Sequence, residues 1–281
     1  MRRFIDRFLP ARLRTAPPFV PVIRLQGAIF AAQGPMRQGL SLANAAPLIE
    51  RAFQYRDAAA VALIVNSPGG SAVQSRLIHK RIRDLAEEKN KHVIAFVEDA
   101  AASGGYMIAC AADEIVADPS SIVGSIGVVT ASFGFPELMR KIGVERRVHT
   151  AGRNKAILDP FLPEKGDDIE RLKQIQADAH AVFIDLVKAR RGVRLKDDPD
   201  LFTGAFWTGQ RALGLGLVDG FGDLRSVLRG RYGDKTVIKV IAPSRGFLTG
   251  RLGFSGRLAV AATSSLAETL EERAAWARLG L

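Results

Sequence analysis

Residues 58–98 read AAAVALIVNSPGGSAVQSRLIHKRIRDLAEEKNKHVIAFVE. The two apolar runs at its ends, AAAVALIV and HVIAFVE, have the length and the branched or aromatic content of buried strands. Between them LIHKRIRDLAEE, residues 77–88, keeps a helical period. Strands that are apolar throughout, rather than alternating, are covered on both faces, and a helix between two of them makes the pair parallel. The stretch therefore predicts an α/β layered fold with mostly parallel strands.

Outward from it, Pro10, Pro17, Pro18 and Pro21 set off a first strand at about residues 19–25, because proline removes backbone donors. A long helix is expected over about residues 163–190. There Ile169, Leu172, Ile175, Ala179, Val182, Phe183 and Leu186 form an apolar stripe, acidic residues crowd the first turn, and Gly192 is a natural stop. TVIKVIA reads as a strand, GFLTGRLGFSG as a glycine-interrupted linker and LAETLEERAAWARL as a closing helix. The organisation is a basic N-terminal tail over 1–18, one domain over 19–240, and a C-terminal linker and helix over 241–281.

The chain has 281 residues, 47% hydrophobic and 25% charged, enough to bury a large core and unlike a disordered chain. Lys plus Arg number 40 against 29 Asp plus Glu, a net charge of +11, which favours anionic surfaces such as membrane lipid. No zinc-finger spacing or RNA-binding aromatic motif accompanies that charge, so no nucleic-acid partner is expected. Cys110 is the single cysteine, among small apolar residues, so no disulfide forms within the chain. Phe4, Ile5, Phe8 and Leu9 recur at helical spacing among five arginines, the pattern of a helix lying on an anionic membrane or of a solvated basic tail. No run is apolar enough to read as a membrane-spanning helix.

Three glycine-containing segments stand after or between strands: NSPGG at 66–70, ASGGYMIA at 102–109 and GSIGVV at 124–129. Sites in α/β proteins gather at strand ends. Ser103 follows HVIAFVE and an alanine-rich turn, and opens a segment that reads as a buried helix. It is either an N-cap or a nucleophile beside helix amides that favour negative charge. Of the histidines, His79 and His180 fall on helices, His92 opens a strand and His149 ends one, so none presents itself as the base of a Ser-His-Asp triad. Lys155 stands in TAGRNKAILDPF, a loop of small residues after that strand. It is either a surface lysine or a base held in a pocket that disfavours its charge.

NSPGG, SGGYMIA, GSIGV, AGRNKAILDPF and FTGAFWTGQRALGLGLVDGFG, in this order, resemble the motifs of the signal peptide peptidase (SppA) family, across about residues 19–240. The resemblance implies a ClpP/crotonase-like layered spiral and a serine endopeptidase working through a Ser-Lys dyad. Ser103 would be the nucleophile, Lys155 the general base, Ser125 a hydrogen-bond partner of that lysine, and Gly70 an oxyanion-hole amide. The amide of Gly104, next after the nucleophile, is the expected second donor. Neither metal nor other cofactor is required. The resemblance further implies a homo-oligomeric ring whose sites combine Ser and Lys of neighbouring subunits, acting on signal peptides or other unfolded hydrophobic peptides. Many members of that family carry an N-terminal membrane anchor. The absence of an apolar run here places the expected location in the cytoplasm or on the inner face of the inner membrane. The rival readings are a crotonase-like acyl-CoA enzyme, which needs carboxylates at the helix start, and a non-catalytic membrane-associated scaffold.

Overall fold

The computed structural model describes residues 17–31, 39–242 and 272–281. The proposed N-terminal amphipathic helix and the glycine-interrupted linker lie outside these residues.

Eight strands form one sheet: β1 (Phe19–Gln26), β2 (Val61–Ser67), β3 (Val93–Ala102), β4 (Glu114–Ala117), β5 (Ile122–Gly124), β6 (Phe206–Thr208), β7 (Gly220–Phe221) and β8 (Val237–Val240). The main path runs β6-β5-β3-β2-β1-β8, with β4 and β7 continuing from β3 on a branch. Every pairing is parallel except β5 with β6. The mostly parallel α/β architecture predicted from residues 58–98 is thus the one present.

Alternate residues of the central strands feed two apolar layers. Ile23, Leu25, Leu63, Val65, Ala95 and Val97 face the larger one. It also takes in α1 (Leu42–Phe53), α2 (Ala72–Glu88) and α3 (Gly104–Ala109). Val20, Val22, Ala62, Ile64, Ile94 and Phe96 face a smaller layer closed by Leu228 of α6 (Leu224–Tyr232). Cover on both faces is why these strands read as unbroken apolar runs.

The branch point lies within β3. Ile94–Phe96 pair with β4, whereas Ala100–Ala102 pair with β5. The register between β2 and β3 shifts at this place, from Val65↔Val97 to Ser67↔Ala101. Asn66 spans the irregularity, donating to Asp99 Oδ2 at 2.7 Å and accepting from the Ala100 amide at 3.1 Å. The alanine-rich turn expected before Ser103 is therefore strand, because β5 supplies its backbone with partners that sequence does not reveal.

Between β5 and β6 run α4 (Pro136–Ile142) and α5 (Gly166–Arg191). Asp167 and Asp168 sit in the first turn of α5, and Gly192, at φ +53°, ends it. Of its expected stripe only Phe183 is fully buried; Ile175 is 57% exposed. Residues 128–135, 137–138 and 140–155 are exposed, and α4 buries none of its residues. The strand expected to end at His149 does not form, for residues 144–150 join none of the eight strands and have no regular structure. A strand needs a neighbour for its amides and carbonyls, and none of the described strands pairs with this segment. The C-terminal end of α5 is fixed by Arg191, whose side chain donates to both carboxylate oxygens of Asp219 at 2.8 and 2.9 Å and to the Gly216 carbonyl.

Candidate active site

At the end of β3 the chain turns sharply into α3, and Ser103 stands at the corner. Its φ of +51° and ψ of −120° lie in territory that non-glycine residues rarely enter and that costs on the order of 1–3 kcal/mol. The corner is held from both sides, since the Ser103 amide donates to Gly124 O at 2.8 Å and its carbonyl accepts from Met107 N at 3.0 Å. The side chain, however, makes no capping bond to α3. Of the two local readings of this serine, capping is the one the geometry removes. A strained strand-to-helix turn with an uncommitted hydroxyl has the form of a nucleophile elbow.

The loop after β2 lies directly against this corner. Gly69 (φ +102°) packs so closely that a Cβ there would stand 2.7 Å from Ser103 Cβ and 3.0 Å from the Gly104 nitrogen. Gly70 (φ +139°) is equally confined, since a Cβ would fall 2.1 Å from the Ile29 carbonyl oxygen. Ile29 braces the loop through a bridge in which its amide donates to Gly69 O at 2.8 Å and its carbonyl accepts from Ser71 N at 2.7 Å. That bridge leaves the Gly70 N–H outside it. The Gly104 N–H, in the first turn of α3, is likewise outside the helical ladder. Gly70 and Gly104 thus both border the cleft at the Ser103 corner.

Ser125 follows β5 at φ +54°, with its amide on Ala205 O at 2.7 Å. Ser103, Ser125, Gly70 and Gly104 all line one cleft of about 930 Å³. Its other walls are largely apolar, including Ile29, Met107, Phe183 and Phe206. The charged side chains lining it, among the described residues, are Glu272 and Arg278 of the C-terminal helical segment. Glu272 Oε1 accepts from the Ala28 amide at 3.4 Å.

Lys155 is the predicted residue that the single chain does not bring to this cleft. It stands exposed in the turn-rich stretch 151–158, its amide on Gly152 O at 3.2 Å. Nor does any histidine line the cleft. His180 Nε2 lies 3.0 Å from the Ile126 carbonyl oxygen. His79 is held at a pKa of about 4, first by burial and then by Arg190 and Arg83. Cys110 is buried, and burial raises its thiol to about 12, which leaves it inert as a nucleophile at neutral pH.

Sequence reading missed the roles of Gly69 and Ile29. The Gly-Gly pair signalled a special backbone, but a brace from a residue some forty positions upstream carries no local signal. The Glu272 and Arg278 contribution to the cleft is equally non-local.

The sequence model of Peptidase family S49 matches residues 86–236, a stretch that contains Ser103, Ser125 and Lys155 and begins downstream of Gly70. The chain belongs to that family. Among individual relatives, the chloroplastic serine protease SPPA of Arabidopsis thaliana is 35% identical over 212 residues, 73% of this chain and 31% of that protein. A protein of Brucella abortus (strain 2308) named Na(+)/H(+) antiporter NhaA is 57% identical over 286 residues, 99% of this chain but 39% of that protein. This chain therefore spans about two fifths of the length of the Brucella relative, and the antiporter name describes that longer protein. A solved structure, the 1510-N membrane-bound stomatin-specific protease, aligns over 82% of this chain and 100% of its own at a TM-score of 0.49 and 17% identity. Among the described residues, no helix is long and apolar enough to cross a membrane.

Proposed function

We propose that this chain is a serine endopeptidase in which Ser103 is the nucleophile and Lys155 of a neighbouring copy is the general base. The observation that carries the reading is the strained Ser103 corner, its hydroxyl uncommitted, flanked by the Gly70 and Gly104 amides. The uncharged Lys155 amine takes the hydroxyl proton as Ser103 Oγ bonds to the peptide carbonyl carbon, and the two amides hold the oxyanion. Collapse of the tetrahedral adduct breaks the C–N bond, and the lysine returns its proton to the departing amine. Water, deprotonated by the same lysine, then attacks the acyl-enzyme and regenerates Ser103. Ser125 orients the amine by a hydrogen bond.

What supports a second copy is the position of Lys155 outside its own cleft, on an arm with uncovered apolar side chains. Phe133 is 81% exposed, and Val129, Leu138 and Ile142 are more than half exposed. An exposed set of this kind marks an interface, and head-to-tail contacts repeated by symmetry close into a ring. The apolar walls of the cleft suit signal peptides or other unfolded hydrophobic segments as substrates. The net charge of +11 favours a place in the cytoplasm or against the anionic inner face of the inner membrane. An acyl-CoA enzyme of crotonase type is disfavoured, since α3 begins with Gly-Gly-Tyr-Met and the carboxylate lining the cleft, Glu272, belongs to another segment.

A serine-directed fluorophosphonate is expected to label the wild type at one site per chain, with peptide hydrolysis lost in parallel. Ser103→Ala is expected to show neither labelling nor hydrolysis while keeping the wild-type circular dichroism spectrum. A Ser103→Ala protein that still cleaves peptides contradicts the assignment, and a wild type that binds hydrophobic peptides without labelling or cleavage favours the scaffold.

A further inference from the structure

The arm that carries Lys155 is almost wholly exposed, yet it contains one carboxylate that is not. The Asp159 side chain is 4% exposed. Its Oδ2 accepts from Arg146 Nε at 3.0 Å and lies 2.9 Å from Nη2, while its Oδ1 accepts from the Phe161 amide at 3.0 Å. The Arg146 guanidinium also lies over the Phe161 ring, 4.8 Å from its centroid. That ring packs on Phe135 at 5.6 Å, and the Phe135 amide donates to Pro160 O at 2.6 Å.

Arg146 and Asp159 are 13 positions apart, so their ion pair closes the base of the loop 147–158 in which Lys155 stands. Within the loop, the bond from Lys155 N to Gly152 O and the left-handed backbones of Gly152 (φ +105°) and Leu158 (φ +55°) set the turns. An ordinary exposed ion pair contributes little. This one differs in that two guanidinium nitrogens share one buried oxygen, the second oxygen is taken by a backbone amide, and the guanidinium face is stacked on an aromatic ring. A planar fork held at its edge by a carboxylate and on one face by a ring fixes geometry in a way that a flexible pair does not.

We propose that Asp159 is a positioning residue for the peptidase reaction: with Arg146 it clamps the loop so that the Lys155 amine is presented to Ser103 of the neighbouring copy. The proposal rests on the function given above. The carboxylate itself touches no substrate and acts through the loop it closes.

The test uses the full chain, with Asp159→Asn, Arg146→Gln and the double variant compared by steady-state peptide hydrolysis and native mass. Displacement of a catalytic group by about 1 Å costs up to about 100-fold, so each single variant is expected to lower kcat by about 10- to 100-fold with KM within about twofold. Native mass stays that of the wild type. Because both substitutions open one clamp, the double variant is expected to be no slower than either single one. Wild-type kcat in Asp159→Asn overturns the proposal, as do losses that multiply in the double variant, losses carried by KM, or losses that track disassembly. Lys155→Ala measured alongside separates the two levels of argument. An inactive Lys155→Ala beside a fully active Asp159→Asn removes only the clamp, whereas an active Lys155→Ala removes the function on which the clamp rests.

Discussion

Lys155→Ala is expected to lower kcat for peptide hydrolysis by about 100- to 10,000-fold, the range over which a positioned acid-base group contributes. A serine hydroxyl is a weak nucleophile until a base takes its proton, and no other candidate base is placed to do so. None of the four histidines lines the cleft, and the Glu272 carboxylate, which does, accepts from the Ala28 amide. KM is expected to change little, because a base that acts on the Ser103 hydroxyl in the transition state adds little to ground-state binding of the peptide. Steady-state kcat measured in both proteins decides it, and a Lys155→Ala variant that keeps the wild-type rate excludes this lysine as the base.

The largest loss of stability is expected from Asp219→Ala. The Arg191 side chain is 1% exposed and its charge is matched by the Asp219 carboxylate, which also accepts from the Ile115 amide at 2.8 Å. Removing the carboxylate strands a buried guanidinium, and breaking a buried pair from one side costs about 3–5 kcal/mol. For a chain of this size, that lowers the melting temperature by about 5–9 °C. Burial by itself would push the Asp219 carboxyl upward. The Arg191 hydrogen bonds, the Ile115 amide and the nearby guanidinium charges outweigh it and hold the carboxyl below its ordinary value of 3.8. A depressed folded-state value means that this stabilisation is complete above the ordinary carboxylate range and is lost as pH falls through the folded value. The gap between wild type and Asp219→Ala should therefore be constant from pH 5 to 8 and shrink only below about pH 4. Thermal melts across that range test it, and a gap that grows on acidification contradicts the assignment. The same pair ties α5 to the loop before β7, where the Leu217 carbonyl receives the Tyr106 hydroxyl of α3 at 2.8 Å. Loss of Asp219 therefore also loosens the helix that begins at the Ser103 corner.

Much of this was readable from the chain, and what was not has a common physical cause. The buried strands β2 and β3 and the helix between them announce themselves through local period, whereas the place of Ser103 between a strand and a small-residue helix left it either an N-cap or a nucleophile, and only the family resemblance chose between them. Ala100–Ala102 looked like a turn because alanine carries little strand preference; β5 decides their conformation. The strand expected to end at His149 does not form, because pairing is not local and none of the described strands pairs with residues 144–150. The stripe on α5 was periodic in sequence, yet Ile175 and Val182 remain exposed, since period states which residues share a face and not what covers it. Lys155 belongs to the same class. Its loop is recognisable from sequence, whereas the cleft it would serve lies beyond its own chain.

The most direct test of that last point is complementation between two inactive chains. Ser103→Ala and Lys155→Ala, co-expressed with different tags and purified as mixed assemblies, are each expected to be inactive alone. If every site pairs Ser103 of one copy with Lys155 of the next, random mixing in equal amounts restores about a quarter of the wild-type sites, read by peptide hydrolysis and fluorophosphonate labelling. Mixed assemblies that form but hydrolyse no more than either parent would contradict a site shared between neighbouring copies.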